Sequence, residues 1–371
     1  MNPVRFGIVG LGMGGEHAHT LTEGKVRGGV LTAVCDIDAE RAAKFPHVQQ
    51  FTKADDMYAS GAVDAVVIAT PHYSHPDLSV AALGRGLHVM VEKPIAVHKQ
   101  EAERLIRAAR PAGPLLAVML NQRTDPRYQR MREIVQRGEL GRLQRITWIV
   151  TDWFRTEAYF KNGVWRGTWA GEGGGLLMNQ CPHQLDLLQW VFGMPRAVRA
   201  WCGLGKRHAI EVEDEVTAYL EYDDGATGLF VASTGEAPGV NRLEAAGELG
   251  RLVLEGNKID WVRNVVSAAE HSRSAESGFE VPEHARETLM FDGNGAQHVG
   301  ILQNFVEAIH GEAAVIAPGS DGLASVELAN AMLLSSVRGE TITLPLSGEV
   351  FASTLEALKD EASRRKAAKR K

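Results

Sequence analysis

The chain has 371 residues, 44% of them hydrophobic and 23% charged, a length and mix that suit two packed domains. Forty Lys and Arg against 46 Asp and Glu leave a formal charge of -6, which excludes nucleic acid as the main partner. Three scattered cysteines exclude a disulfide scaffold, and no run nears the ~20 apolar residues of a membrane span. The start, MNPVRFGIVGLG, enters a strand pattern without a charged leader and apolar stretch, so a cytoplasmic protein with no membrane partner is expected.

In chain order, Val4 to Val9 reads as a short apolar strand running into a glycine turn, Gly10 to Gly15. A helix is predicted from there toward Thr22, then a strand at Leu31 to Cys35 closing on Asp36. Short helices at Asp38 to Lys44 and Lys53 to Tyr58 precede the apolar strand Ala65 to Ile68. Pro76 to Leu83 has Pro near its start and Gly84 at its stop, the usual helix asymmetry. Strands at Leu87 to Val91 and Leu115 to Leu120 flank a helix at Glu101 to Ala109. These strands lack a polar face and alternate with helices, which predicts a parallel sheet covered on both sides.

The texture changes after Leu120. A helix at Arg127 to Gln136 and a strand at Leu143 to Asp152 lead into a loop rich in Trp, Gly and charge, Trp153 to Gly174. A helix is predicted over Leu176 to Phe192, with Pro182 marking an irregular turn or the true start. Strand patterns at Val198 to Gly203, Val216 to Tyr222, Thr227 to Thr234, Arg242 to Ala246 and Arg251 to Leu254 predict an antiparallel sheet. Helices at Gln297 to His310 and Asp321 to Ser336 precede a strand at Thr341 to Leu344, and the basic tail from Lys359 reads as frayed or a surface helix. The expected architecture is α/β: a Rossmann dinucleotide-binding domain over residues 1–122, then an α+β domain over 123–371 on an open, mostly antiparallel sheet.

Gly10, Gly12 and Gly15, with Met13 between them, have G-x-G-x-x-G spacing between a strand and a helix. The first glycine permits the turn, the second lets pyrophosphate approach, and the third permits close helix–strand packing. Asp36 stands 21 residues after Gly15, where a carboxylate accepts the ribose hydroxyls of NAD and repels the 2′-phosphate of NADP. The expected cofactor is therefore NAD rather than NADP, with Arg41 as the one counterargument. Thr70 and Pro71 end the strand Ala65 to Ile68 and fall in the ligand crevice, with His72 and His75 just beyond, either lining the nicotinamide side or facing solvent. No set of side chains there has zinc spacing, so no metal is expected.

Glu92-Lys93-Pro94 follows the strand ending at Val91. Two readings of Lys93 stand: a desolvated lysine exchanging a proton with a substrate hydroxyl, or a salt bridge to Glu92. In the block from Gly173 to Asp186, helical spacing puts Asn179, His183 and Asp186 on one face. His183 is either a proton acceptor near neutral pH or a satisfied core histidine, and Asp186 either orients it or anchors the helix.

The glycine loop, the Glu92-Lys93-Pro94 triplet, the Gly173–Asp186 block and the late Asn304 to Ile309 and Asp321-Gly322 segments together resemble the Gfo/Idh/MocA oxidoreductases. The resemblance implies a Rossmann domain, an open sheet that builds a homodimer or homotetramer, and oxidation or reduction of a ring carbon of a sugar or polyol substrate. It implies Lys93 as the lysine contacting the reacting hydroxyl and His183 as the acid/base. Asn179 departs from the Asp of many members, though branches acting on sugars and nucleotide-sugars are similar in having Asn-Gln here; an amide hydrogen-bonds a hydroxyl but carries no proton. Arg123, Asp152, Tyr159, Trp165 and Arg166 are the expected further substrate contacts, the aromatic rings for stacking on sugar C–H faces. A tightly held, internally recycled NAD and a non-catalytic NAD-binding sensor are the alternatives.

Overall fold

The computed structural model describes residues 2–163 and 165–369. Six parallel strands form the first sheet, in the order Gln49–Phe51, Gly29–Cys35, Val4–Val9, Ala65–Ile68, His88–Val91, Leu116–Val118. Every residue of Ala65–Ile68 is buried, as a strand covered on both faces must be. The strand order reverses between Val4–Val9 and Ala65–Ile68, and in such sheets the ligand crevice opens at that point, beyond the strands' carboxyl ends.

Nine strands form the second sheet: His284–Met290, Lys258–Asn264, Gly250–Glu255, Asn241–Gly247, Leu143–Val150, Thr227–Ser233, Glu213–Glu221, Ala197–Leu204 and Ile342–Thr343. All neighbours are antiparallel except Leu143–Val150 with Thr227–Ser233. Alternation along Glu213–Glu221 sends Val216, Ala218 and Leu220 into the core. The opposite face leaves Trp201, Tyr219 and Leu229 partly exposed.

Two late helices join the units. Gln297–Ile309 lays Ile301, Leu302, Phe305 and Val306 against Val4, Phe6 and Ile8 of the first sheet, so this core draws on residues well past position 122. Gly319–Arg338 is shared: Val326 packs with the first sheet and Leu328 to Leu334 with the second. Polar groups bolt the same seam. Lys99 Nζ donates to Glu327 Oε1 at 2.8 Å, and Lys99 N to Asn330 Oδ1 at 3.0 Å, all buried.

The second half differs from expectation in several places. The helix expected over Leu176 to Phe192 is two, Leu176–Asn179 and Pro182–Phe192, because Pro182 has no N–H to continue the first. The loop Trp153 to Gly174 contains short helices at Glu157–Lys161 and Trp169–Glu172. The basic tail ends a helix, Gly348–Lys369, anchored by buried Phe351 and Leu355. Among the described residues no helix is long and apolar enough to cross a membrane.

Candidate active site

The glycine loop sits at the switch point. Gly10 has φ +86°, and a Cβ there would lie 2.6 Å from Ala69 O, so this turn needs glycine. A Cβ on Gly12 would meet nothing nearer than 3.9 Å, leaving the backbone open to a pyrophosphate. The helix-packing role expected of Gly15 falls instead to Gly14, whose Cβ would press on Ile8 at 2.9 Å; Gly15 faces open space. Asp36 is buried, with Oδ2 accepting from Leu11 N at 2.7 Å and Oδ1 from Asp38 N at 2.9 Å. These bonds aim the carboxylate beside the loop while each oxygen keeps a further acceptor site. Arg41 Nη1 lies 3.8 Å from it on a half-exposed side chain. Exposed Met13 and Ile37 supply apolar surface at the rim.

Thr70 and Pro71 lie at the crevice, where Ser74 Oγ bonds Thr70 Oγ1 at 2.8 Å. His75 does not face the cofactor crevice as expected. It is buried, with Nδ1 2.8 Å from Pro94 O and Nε2 2.7 Å from Thr70 O, so it clasps the Thr70 and Pro94 turns together. Glu92 is buried beside His17, whose Nε2 is 2.7 Å from Glu92 Oε1, and Glu92 Oε2 accepts from Lys93 N. Burial opposes its charge, but the hydrogen bond and charge of His17, with Lys93, hold the carboxyl down to about 2. Lys93 Nζ reaches away from Glu92 and donates to the backbone O of Asn179 at 2.8 Å. Burial lowers its pKa against the pull of Glu92 and Glu172.

The Gly-rich block is held by a residue the sequence reading passed over. Fully buried Glu213 accepts from Gly175 N and Leu177 N, both at 2.9 Å, and so satisfies the first amides of Leu176–Asn179. A Cβ at Gly175 would lie 2.2 Å from Glu213 O, which explains the glycine. Burial pushes the Glu213 carboxyl up to about 7 against those N–H donors, and its Oε2 is buried without a partner. The short helix ends at Asn179, and the next carries His183 at its second residue. Burial, then the charge of Lys93, takes the His183 pKa down to about 3, which leaves a neutral imidazole at pH 7 with Nδ1 unpartnered.

Asp186 is not the orienter of His183. Its Oδ2 and Oδ1 accept from Arg123 Nε at 2.8 Å and Nη2 at 2.6 Å, both side chains 1% exposed. Arg123 in turn spends Nη1 on Asp321 and Ile316 O, so this arginine is a seam residue rather than the expected substrate contact. Tyr159, Trp165 and Arg166 do come together: Arg166 donates to Tyr159 OH at 2.6 Å and its guanidinium stacks 4.5 Å from both rings. Trp165 also meets His72 edge-on at 5.7 Å. Asp152 lies apart from them, in a cavity of about 320 Å³ whose wall includes Gln122, Trp153, Asn241 and Gln184, the neighbour of His183. Glu172, inside the expected loop, is also buried, and Asn179 Nδ2 donates to its Oε1. Among the described residues no group of three or more His, Cys, Asp or Glu is placed to hold a metal.

A six-stranded doubly wound sheet with an open glycine loop and a buried carboxylate beside it defines a dinucleotide-binding protein of two domains. The chain belongs to the Gfo/Idh/MocA family: residues 4–120 match the oxidoreductase family's NAD-binding Rossmann fold and residues 128–253 the GFO/IDH/MocA C-terminal domain. It is 30% identical over 199 residues to an inositol 2-dehydrogenase of Corynebacterium glutamicum (strain R), a match spanning 51% of this chain and about half, 54%, of that relative. To a scyllo-inositol 2-dehydrogenase (NADP(+)) of Bacillus subtilis it is 24% identical, over 93% of this chain and 97% of the relative. Its fold is similar to that of the WlbA dehydrogenase from Bordetella pertussis, solved with NADH and UDP-GlcNAcA: TM-score 0.77 and 27% identity, over 93% of this chain and 100% of that one.

Proposed function

We propose that this chain is an NAD-dependent dehydrogenase of sugars, sugar derivatives or cyclitols, acting on a ring CH–OH carbon. The observation that carries the reading is the bond from Lys93 Nζ to Asn179 O, which docks the Glu92-Lys93-Pro94 turn of one domain against the helix pair bearing Asn179 and His183 on the other. Gly10, Gly12, Met13 and Asp36 would hold the dinucleotide, with Thr70, Pro71, Glu92 and Lys93 along its nicotinamide side. NAD, when bound, supplies the hydride acceptor.

The protein's own groups manage the proton. Neutral His183 takes it from the reacting hydroxyl, while Lys93 donates to that oxygen and favours its developing negative charge. Glu92 keeps a counter-charge beside Lys93 without consuming its Nζ. Asn179, Asp152, Tyr159, Trp165 and Arg166 fix the ring orientation, which is where an enzyme of this kind gains its rate. Asp36 favours NAD, because a 2′-phosphate would meet its carboxylate before it met Arg41. Copies of the chain pair through the open sheet face around Trp201, Tyr219 and Leu229.

The test is absorbance at 340 nm with NAD or NADP, over myo-inositol, scyllo-inositol, levoglucosan, free hexoses and simple glycosides, with products separated chromatographically. NADH growth on one compound, lost in both Lys93→Ala and His183→Ala, is the expected result. Product without free NADH would replace it with an internally recycled cofactor. NAD binding with no product from any compound would leave a dehydrogenase of narrower substrate or a sensor.

A further inference from the structure

Asn179 occupies the position where the family resemblance led to an expected carboxylate, and its side chain has two unlike ends. Nothing in its own covalent structure decides which end meets a substrate. Its neighbour does. Glu172 ends the short helix Trp169–Glu172 and is 1% exposed. Its Oε2 accepts from Gly167 N at 2.6 Å, and its Oε1 accepts from Asn179 Nδ2. An ionised carboxylate has no donor, so the Asn179 amide nitrogen must point at it. The Asn179 carbonyl Oδ1 is then turned away from Glu172, on a half-buried side chain whose backbone O takes the bond from Lys93 Nζ. Burial pushes the Glu172 pKa above the usual carboxylate value, opposed by the Gly167 and Asn179 hydrogen bonds and by the charges of Arg166 and Lys93.

We infer that Glu172 is a positioning residue that fixes the Asn179 amide so that its carbonyl oxygen, on the side away from Glu172, is offered as an acceptor to a substrate hydroxyl. The inference rests on the proposed placement of Asn179 at the substrate. It deepens that reading by naming the substrate feature recognised: a hydroxyl free to donate, next to the carbon whose own hydroxyl lies between Lys93 and His183. A vicinal diol meets that description, and a ring with a keto, deoxy or O-alkyl group at the neighbouring carbon does not.

Glu172→Gln is the test, because it preserves shape while reversing one end. The carbonyl of the introduced amide is claimed by Gly167 N–H, so its nitrogen faces residue 179 and forces the Asn179 amide to turn over. The first readout needs no substrate. In NAD-loaded protein labelled with 15N-asparagine, the Asn179 side-chain amide protons, assigned by their absence in Asn179→Asp, move upfield in Glu172→Gln as the bond to a carboxylate is lost. The second uses scyllo-inositol, all of whose hydroxyls are vicinal: its KM rises about tenfold or more in Glu172→Gln while NAD affinity stays within about twofold.

The decisive arm is rescue. In the double variant Glu172→Gln/Asn179→Asp, the new carboxylate at position 179 accepts from the new amide at position 172. Its other oxygen turns to the cleft, so KM returns to within about threefold of the parent. Unmoved amide signals in Glu172→Gln, or a double variant no better than the single one, would overturn the inference. If scyllo-inositol is not turned over by the parent protein, the substrate reading fails on its own, and the amide signals still decide what Glu172 does.

Discussion

Replacing Glu213 with glutamine exposes a titration that the fold imposes on a single buried carboxyl. The ordinary value for this group is 4.5 and burial takes it to about 7, so between those values the folded protein keeps a proton that the unfolded chain releases. A raised acid stabilises most below its unfolded pKa, and that contribution is lost as pH climbs through the folded one. The gap corresponds to about 3 kcal/mol, most of which disappears between about pH 5 and about pH 8. The amide of Glu213→Gln keeps the acceptor for Gly175 N and Leu177 N and puts an N–H where the acid O–H stood, so it mimics the protonated form at every pH. Urea unfolding followed by circular dichroism at both pH values gives the result as a difference of differences, in which the histidines cancel. The parent and variant should be alike at about pH 5, and the variant more stable by about 2–3 kcal/mol at about pH 8. A difference that does not change with pH would refute the reasoning.

Asp186→Asn removes one partner of a buried ion pair and should cost about 3 kcal/mol in urea unfolding, whereas Asp321→Asn, whose carboxylate is one-third exposed, should cost about 1 kcal/mol or less. Equal costs would mean that Asp321 holds Arg123 as firmly as buried Asp186 does, and would refute the expectation. Asp36→Ala removes the ribose acceptor and leaves Arg41 unopposed, so KM for NAD should rise about tenfold while NADP becomes usable; steady-state rates with each cofactor check this. Leu229→Asp sets a charge in the middle of the exposed apolar sheet face, beside Tyr219, and sedimentation should show a smaller assembly than the parent at the same concentration.

The first sheet was legible because its strands are buried on both faces and read as plain apolar runs, Ala65 to Ile68 most clearly. The strand it hid, Gln49–Phe51, is a short edge with two exposed glutamines and so carries no such run. The second sheet faded from view toward its far edge for the same reason: His284–Met290 has six exposed residues out of seven, leaving no buried face to set a period. At the site, Lys93 and His183 announced themselves by chemistry and position. Glu172 and Glu213 did not, since a glutamate that hydrogen-bonds a distant backbone N–H has the same letter as one in water. The signal for Glu172 lay in the pairing of an acid before the Gly173–Gly175 run with an amide where an acid was expected. Asp186 misled because spacing three residues after His183 places two side chains on a helix face but says nothing of Arg123, which arrives from another element.

The helix Gln297–Ile309 gives the molecule an unusual order of assembly. A ribosome delivers Val4, Phe6 and Ile8 first, yet the residues that cover them, Ile301 to Val306, emerge only after nearly all of the second sheet has been made. Until then Ala18, Leu21 and Phe45 cover only part of that face, and the nucleotide-binding half stays unfinished until the polypeptide doubles back. The glycine loop and this packing share one half, so a nascent chain cannot finish its dinucleotide crevice before Ile301 to Val306 have left the tunnel.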